Sequence, residues 1–122
     1  MKKVLIVDDV HINIVLIHKM LTGQPLEFAT ASNGEIAMQK IRDAQPDIVL
    51  LDLLMPVVDG FTVLKEIREG NCGNKDVPVV VLSALSGSSI VRAMEMGAND
   101  FLTKPIVMTR LISTVRKLLE LD

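Results

Sequence analysis

Three short apolar runs stand out in the hydrophobic pattern of the chain. They cover 3–7 (KVLIV), 47–52 (DIVLLD) and 78–82 (PVVVL). Continuous apolar runs of this length are typical of strands that are buried on both faces of a parallel sheet. Two more mixed segments, 26–30 (LEFAT) and 100–103 (DFLT), fit strands at the edges of such a sheet. The pattern therefore predicts five strands.

Helical periodicity occupies the intervals that follow these strands. Apolar side chains recur every three to four residues in 11–22, in 33–44, after Gly60, in the segment before the fifth strand and in 108–119, which is the spacing of one helix face. Asn33 is expected to cap the second helix. In the first helix the apolar stripe consists of Ile12, Val15, Leu16 and Met20 and is widened by Ile14, Ile17 and Leu21.

Five strands that alternate with five helices predict an α/β domain with a doubly wound, flavodoxin-like parallel sheet and helices on both faces. Right-handed crossover connections favour the strand order 2-1-3-4-5, which places the two mixed strands at the edges. A length of 122 residues is sufficient for one proper hydrophobic core. We therefore expect residues 1–122 to form a single domain.

The composition restricts the classes of function. Thirteen basic against fifteen acidic residues give a net charge of −2, and this balance does not favour direct binding of nucleic acid, which needs a positive field. The apolar runs are far shorter than a membrane span of about 18 residues. The one cysteine, Cys72, lies in the polar segment EGNCGNKD, which is typical of a loop. We expect a cytoplasmic domain without membrane contact and with an incidental surface thiol.

Polar residues stand where the predicted strands end. Asp8 and Asp9 end the first strand, Asp52 ends the third, Ser83 the fourth and Lys104 the fifth. The carboxyl ends of parallel strands lie on one edge of the sheet, and doubly wound sheets bind their ligands there. We therefore expect these five side chains to converge on one pocket.

Neighbouring carboxylates repel one another and need a compensating cation. Asp8, Asp9 and Asp52 offer the oxygen donors that Mg²⁺ prefers, and neither the histidines nor the cysteine have a spacing that suits zinc. A carboxylate can also act as a nucleophile toward a phosphoryl group, and that transfer depends mainly on positioning and charge neutralisation. We predict a site in which Asp52 accepts a phosphoryl group, Lys104 supplies a positive charge and Ser83 supplies a hydrogen bond.

With these residues in place, the chain resembles the receiver domain of two-component response regulators over essentially its whole length. The resemblance is carried, in order, by the segments LIVDDVHIN, ASNGEIAM, PDIVLLDLLMPVVDGF, PVVVLSALS and GANDFLTKP. It implies that a histidine kinase or phosphotransfer protein phosphorylates Asp52 with Mg²⁺ as the cofactor. It also implies that phosphorylation shifts the surface of helix 4, strand 5 and helix 5, which would contact an output partner or a second copy in a homodimer. Such a domain is a regulator, not an enzyme, and catalyses only its own phosphorylation and dephosphorylation.

The resemblance also implies roles for individual residues. Asp9, the side chain of Asp52 and the backbone carbonyl of Leu54 would bind Mg²⁺ directly, and Asp8 would act through water. The family's lysine, its Ser/Thr position, its aromatic switch and the proline of its cis peptide correspond to Lys104, Ser83, Phe101 and Pro105. Val57 departs from the family pattern, because glycine is common at that position of the loop.

Two other functions are compatible with the same architecture. A phosphatase of the haloacid dehalogenase type would also use an aspartyl intermediate, but its two aspartates usually flank one residue, whereas Asp8 and Asp9 are adjacent. A flavodoxin-like electron carrier would need aromatic side chains against the flavin and a hydroxyl-rich phosphate loop. The acidic segment DDVHIN would instead repel a flavin phosphate. Both alternatives fit the sequence less well than a receiver domain.

Overall fold

The computed structural model describes residues 1–84 and 87–121. Within these ranges the strands are β1 (Lys2–Val7), β2 (Leu26–Ala31), β3 (Ile48–Asp52), β4 (Val79–Ser83) and β5 (Asp100–Thr103). The helices are α1 (His11–Met20), α2 (Gly34–Ala44), α3 (Gly60–Arg68), α4 (Gly87–Glu95) and α5 (Met108–Leu118). All strand pairs are parallel, and the order β2-β1-β3-β4-β5 confirms the predicted topology.

An apolar cluster covers each face of the sheet. In β1 the side chains alternate, so that Leu5 and Val7 belong to one cluster while Val4 and Ile6 belong to the other. Helices α2, α3 and α4 contribute to the first cluster, and α1 and α5 contribute to the second. The prediction of helices on both faces is therefore confirmed. In the part of the chain that the structure describes, each helix is too short or too polar to cross a membrane.

Only part of the apolar stripe predicted for α1 is buried. Ile14 and Ile17 face the core, whereas Ile12, Val15 and Leu16 expose 58%, 42% and 46% of their surface. Because α1 carries apolar side chains on all sides, helical periodicity does not identify which stripe contacts the sheet. The helix therefore presents a second apolar face to solvent, and exposed apolar patches often mark interaction sites.

Cys72 also corrects an expectation. The side chain is buried and belongs to the same apolar cluster as Ile67 and Val77, while its neighbours Asn71 and Gly73 are exposed. Burial raises the pKa of the Cys72 thiol above its ordinary value. A buried thiol of raised pKa is a packing residue and a poor nucleophile.

Side-chain caps fix the starts of the two helices that flank the β3–α3 loop, which comprises residues 53–59. The Oδ1 atom of Asn33 accepts a hydrogen bond from the backbone N–H of Ile36 at 2.8 Å, as predicted for α2. The Oδ1 atom of Asp59 accepts from the N–H of Thr62 at 2.9 Å at the start of α3. Both helices therefore begin at well-defined positions beside this loop.

Candidate functional site

Three carboxylates meet at the carboxyl edge of the sheet. One oxygen of each of Asp8, Asp9 and Asp52 lies within 4.8 Å of the others. β1 and β3 are adjacent and parallel with Val7 opposite Leu51, so both strands deliver their acids to the same edge. Asp8 is 0% and Asp52 is 4% exposed, whereas Asp9 is exposed. This acid cluster therefore has a buried floor and one accessible side.

The ammonium group of Lys104 lies directly beside the acid cluster. Its Nζ atom is 3.3 Å from Oδ2 of Asp8 and 3.4 Å from Oδ1 of Asp52. The Lys104 backbone N–H donates to the carbonyl oxygen of Ser83 at 2.9 Å, which fixes the end of β5 against β4. The peptide bond between Lys104 and Pro105 is cis, as the resemblance implies. Lys104 thus offsets one of the three carboxylate charges, and an excess of negative charge remains.

Backbone N–H groups hold the two buried carboxylates in place. Oδ1 of Asp8 accepts from the N–H of Val10 at 2.9 Å, and Oδ1 of Asp52 accepts from the N–H of Leu54 at 3.3 Å. Hydrogen bonds to a charged carboxylate are stronger than those between neutral groups. The carboxylates are therefore oriented by the loops that begin where their strands end.

Burial changes the acid–base chemistry of Asp52. Desolvation, together with the negative charge of Asp8, raises the pKa of Asp52 from 3.8 to about 6. The charge of Lys104 and the hydrogen bond from Leu54 oppose this rise but do not cancel it. At neutral pH the carboxylate is therefore ionised at a cost in free energy, and a cation in the cluster would lower that cost.

Ser83 and Phe101 face the same side of the sheet. Asp52 of β3 pairs with Leu82 of β4, and Ser83 is the residue that follows Leu82. Ser83 is buried. Phe101 of β5 pairs with Val81 of β4. Because side chains alternate along a strand, Val81, Ser83 and the half-buried Phe101 share one face. Ser83 therefore lies at the carboxyl edge of the sheet and on the same face as Phe101.

The β3–α3 loop contains a tight turn at the position where the sequence departs from the family pattern. The Val58 N–H donates to the carbonyl of Pro56 at 2.8 Å across Val57, whose φ is +67°. A three-residue turn with this positive φ is rare and strained, and glycine adopts it most readily. Val57 adopts the conformation nonetheless, with its side chain 98% exposed.

Sequence reasoning treated Gly60 only as the start of a helix. A Cβ atom at this position would clash with the backbone carbonyl oxygen of Asp52 and would lie 2.6 Å from Cα of Leu53. The Gly60 N–H also donates to the carbonyl of Leu53 at 3.0 Å. The absence of a side chain thus allows α3 to begin directly against the end of β3. The pair Asp59-Gly60 was the available signal, since it marks a tight turn into a helix.

Comparison with known proteins identifies the family. The model of the response regulator receiver domain matches residues 4–116. The chain belongs to this family. It is 39% identical over 117 residues to the response regulator PleD of Caulobacter vibrioides, which covers 95% of this chain and 26% of PleD. It is 38% identical over 118 residues to the transcriptional regulatory protein PrrA of Mycobacterium tuberculosis, covering 96% of this chain and 49% of PrrA.

Solved receiver domains have the same fold. The receiver domain of the Francisella response regulator 1452 superposes with a TM-score of 0.90 and 30% identity, covering 98% of each chain. The chemotaxis protein CheY4 of Vibrio cholerae gives a TM-score of 0.87 and 29% identity, covering 97% of this chain and 98% of CheY4. The chain therefore corresponds to a receiver domain, and it spans about a quarter to a half of the length of PleD and PrrA.

Proposed function

We propose that this receiver domain is a phosphoryl-accepting signalling switch in which Asp52 is the phosphoacceptor and Mg²⁺ is the cofactor. The observation that supports this function best is the placement of a buried Asp52 carboxylate 3.4 Å from Lys104, with oxygens of Asp8 and Asp9 within 4.8 Å. The phosphoryl donor is a histidine kinase or a phosphotransfer protein. The domain regulates an output partner and does not turn over a substrate of its own.

The donor set of the acid cluster fits Mg²⁺. Carboxylate oxygens are the ligands this ion prefers, and one or two carboxylates with a carbonyl, waters and a phosphoryl oxygen complete its octahedral shell. Asp9 and Asp52 would be direct ligands together with the Leu54 carbonyl, and the buried Asp8 would act through water. When bound, the ion would neutralise charge on the phosphoryl oxygens during transfer.

The residues of this chain have separable tasks in the transfer. An oxygen of the ionised Asp52 attacks phosphorus, the new O–P bond forms, and the bond between phosphorus and the donor nitrogen breaks with its electron pair left on the donor's imidazole. Lys104 stays paired with Asp52 and balances charge on the incoming phosphoryl group. The Ser83 hydroxyl donates a hydrogen bond to a phosphoryl oxygen once the product has formed.

Removal of the phosphoacceptor tests this function. Acetyl phosphate with Mg²⁺ is expected to add one phosphoryl group to the wild-type chain and none to Asp52→Ala, as measured by the intact mass. Chelation of Mg²⁺ with EDTA should abolish the addition. The exposed Asp43→Ala variant on α2 is the control and should be phosphorylated like the wild type. Equal phosphorylation of Asp52→Ala and wild type would refute the assignment of Asp52.

The output surface is formed by α4, β5 and α5. Val91 and Met94 on α4, and Met108 at the start of α5, are exposed apolar residues on these elements. Movement of Ser83 toward the phosphoryl group would free space for the ring of Phe101, which packs on the same face of the sheet. The population of one surface conformation would then depend on phosphorylation. An output partner, or a second copy in a homodimer, would recognise that conformation.

The exposed face of α1 supports a protein as the phosphoryl donor. Leu16 and Met20 line a cleft of about 200 Å³ together with Lys104, Pro105 and Ile106. This cleft begins at the residue that contacts the phosphoacceptor, so a donor that delivers a phosphoryl group to Asp52 passes over it. Apolar side chains with such exposure suit a protein surface, for example that of a helical bundle.

A charge on this face of α1 is expected to slow phosphotransfer from a protein donor and to leave the reaction with a small-molecule donor unchanged. Leu16→Glu should slow phosphotransfer from a histidine kinase that phosphorylates the wild type by about tenfold, which is the effect of losing about 1.4 kcal/mol of interface energy. The rate with acetyl phosphate should be unchanged. Val91→Glu, at an exposed apolar residue of α4, is the control. An unchanged kinase reaction for Leu16→Glu would exclude α1 as the docking face.

A regulator and a phosphoester-hydrolysing enzyme differ in stoichiometry. A regulator takes up one phosphoryl group per chain and returns it to water slowly, whereas a phosphatase of the haloacid dehalogenase type releases phosphate over many turnovers. We expect stoichiometric labelling by acetyl phosphate and no steady-state release of phosphate from simple phosphoesters. Sustained turnover of a phosphoester would contradict the assignment as a regulator.

A further inference from the structure

Gly34, the first residue of α2, lies against the β3–α3 loop. A Cβ atom at position 34 would lie 2.6 Å from Cγ1, 2.7 Å from the carbonyl oxygen and 2.8 Å from Cβ of Val58. Gly34 is buried and lacks a positive φ, so glycine is required here because there is no space for a side chain. Carbon atoms do not approach one another this closely, and two of the three opposing atoms belong to the backbone or are bonded directly to it. A side chain at position 34 would therefore displace the loop.

The loop cannot absorb such a displacement at Val58 alone. The N–H of Val58 is bonded to the carbonyl of Pro56 across the strained turn at Val57, so these three residues move together. Pro56 is two residues from Leu54, whose N–H holds Asp52. On the other side, the cap from Asn33 fixes the first turn of α2. We therefore expect a shift of Val58 to extend along the loop to Leu54, which holds Asp52.

A cleft connects the same contact to the accessible side of the acid cluster. This cleft has a volume of about 500 Å³, and its lining includes Asp9, Gly34 and residues 56–58. The first turn of α2, the strained turn and the exposed carboxylate thus border one space. The position of the loop relative to Asp9 depends on how closely Val58 approaches α2.

We propose that Gly34 is a positioning residue for the magnesium and phosphoryl site. By lacking a side chain it allows the backbone of Val58 to approach the first turn of α2 closely, and that approach holds the β3–α3 loop, which carries Leu54, in place beside Asp52 and Asp9. This inference rests on the proposed function, since it concerns the same site. Gly34 acts through Val58 and does not itself touch the metal or the phosphoryl group.

The experiment compares a variant that introduces the clash, Gly34→Ala, with a double variant that reduces it. Gly34→Ala is expected to weaken Mg²⁺ binding about tenfold, as supporting residues around metal sites typically do when changed, measured by calorimetric titration. In the metal-free protein the backbone amide NMR signals of Leu54 and Gly60 should shift. Gly34→Ala combined with Val58→Ala removes the Cγ1 atom that the new methyl group meets, and should recover part of the lost affinity. Val58→Ala alone keeps the Val58 carbonyl oxygen and Cβ against position 34, so it should bind Mg²⁺ within about twofold of the wild type.

A matched control separates this contact from a general effect of alanine at a helix start. Gly87 is the first residue of α4, and a Cβ there meets no described atom within 4 Å. Gly87→Ala should therefore leave Mg²⁺ binding unchanged. Wild-type affinity in Gly34→Ala would overturn the proposal, and so would a double variant that binds Mg²⁺ more weakly than Gly34→Ala.

A further variant covers the case in which Gly34→Ala does not fold. Gly34→Ala with Val58→Gly removes both opposing side-chain atoms but leaves the carbonyl oxygen at 2.7 Å. The proposal requires this variant to fold, as judged by circular dichroism, and to bind Mg²⁺ more weakly than Val58→Gly alone. Equal affinities, or failure to fold, would overturn it. If wild-type Asp52 accepted no phosphoryl group while these Mg²⁺ affinities behaved as stated, the proposed function would fail and the role of Gly34 would stand.

Discussion

Asp52→Asn is expected to be more stable than the wild type at pH 7.5, by about 3 kcal/mol in the absence of divalent cations, and equally stable near pH 4. The pKa of Asp52 lies at about 6 in the folded protein against 3.8 as its ordinary value. Each unit of difference corresponds to about 1.4 kcal/mol, so ionisation of this buried carboxyl costs the folded state about 3 kcal/mol. Asparagine has nearly the same shape and carries no charge.

The direction of the pH dependence follows from the raised pKa. Between about pH 4 and pH 6 the folded protein binds the proton of Asp52 more tightly than the unfolded chain does, so wild-type stability falls as the pH rises through this window. Above the folded pKa the cost is complete. Asp52→Asn lacks this contribution, and the difference between the two proteins should therefore grow across the same window.

Urea denaturation at pH 4 and pH 7.5 with EDTA measures this difference. Asp43→Asn, at an exposed acid of α2, is the control and should follow the wild type at both pH values. Added Mg²⁺ should stabilise the wild type more than Asp52→Asn and so narrow the gap at pH 7.5. A wild type more stable than Asp52→Asn at pH 7.5 in EDTA would contradict the view that the acid cluster is electrostatically strained.

Lys104→Met is expected to slow phosphorylation by acetyl phosphate about 100-fold, which is typical for the loss of one group that stabilises transition-state charge. The Nζ atom lies 3.3 Å from the Asp8 carboxylate and 3.4 Å from the Asp52 carboxylate. The side chain can therefore contact an incoming phosphoryl group without moving. Methionine keeps much of the apolar stem and removes the charge.

Mg²⁺ binding distinguishes loss of this charge from loss of structure. A positive charge beside Asp52 opposes a second cation, so Lys104→Met should bind Mg²⁺ at least as tightly as the wild type. Lys40→Met is the control, because Lys40 is half-buried like Lys104. Its Nζ atom donates to the backbone carbonyl of Thr30 at 2.6 Å. The phosphorylation rate of Lys40→Met should stay within about twofold of wild type. A Lys104→Met variant with the wild-type rate would remove Lys104 from the mechanism.

The sequence predicts the sheet well because its strands leave a strong local signal. The stretches 4–7 and 48–51 are fully apolar and each is followed directly by an aspartate, which indicates both the strand and its end. Parallel pairing then requires the acids to share an edge, and the structure brings Asp8, Asp9 and Asp52 together there. Local pattern and topology were sufficient for this part of the site.

Contacts between distant segments leave no such signal. Arg68 of α3 donates to the carbonyl of Gly97 at 2.9 Å and to the side chain of Asn99 at 2.8 Å, residues about thirty positions away. The approach of Gly34 to Val58 is of the same kind, because either residue alone fits an ordinary helix start or loop. The exposed face of α1 was missed for another reason. A helix with apolar residues on all sides has no polar stripe that would show which side faces solvent.

We propose that the acid cluster beside Lys104 makes Asp52 the residue that accepts the phosphoryl group. Borohydride reduction of the phosphorylated chain, followed by peptide mass spectrometry, locates the acyl phosphate because it converts that aspartate to homoserine. We expect homoserine at position 52, formed only when Mg²⁺ was present during phosphorylation. Homoserine at position 8 or 9 with Asp52 intact, or labelling that is independent of Mg²⁺, would contradict it.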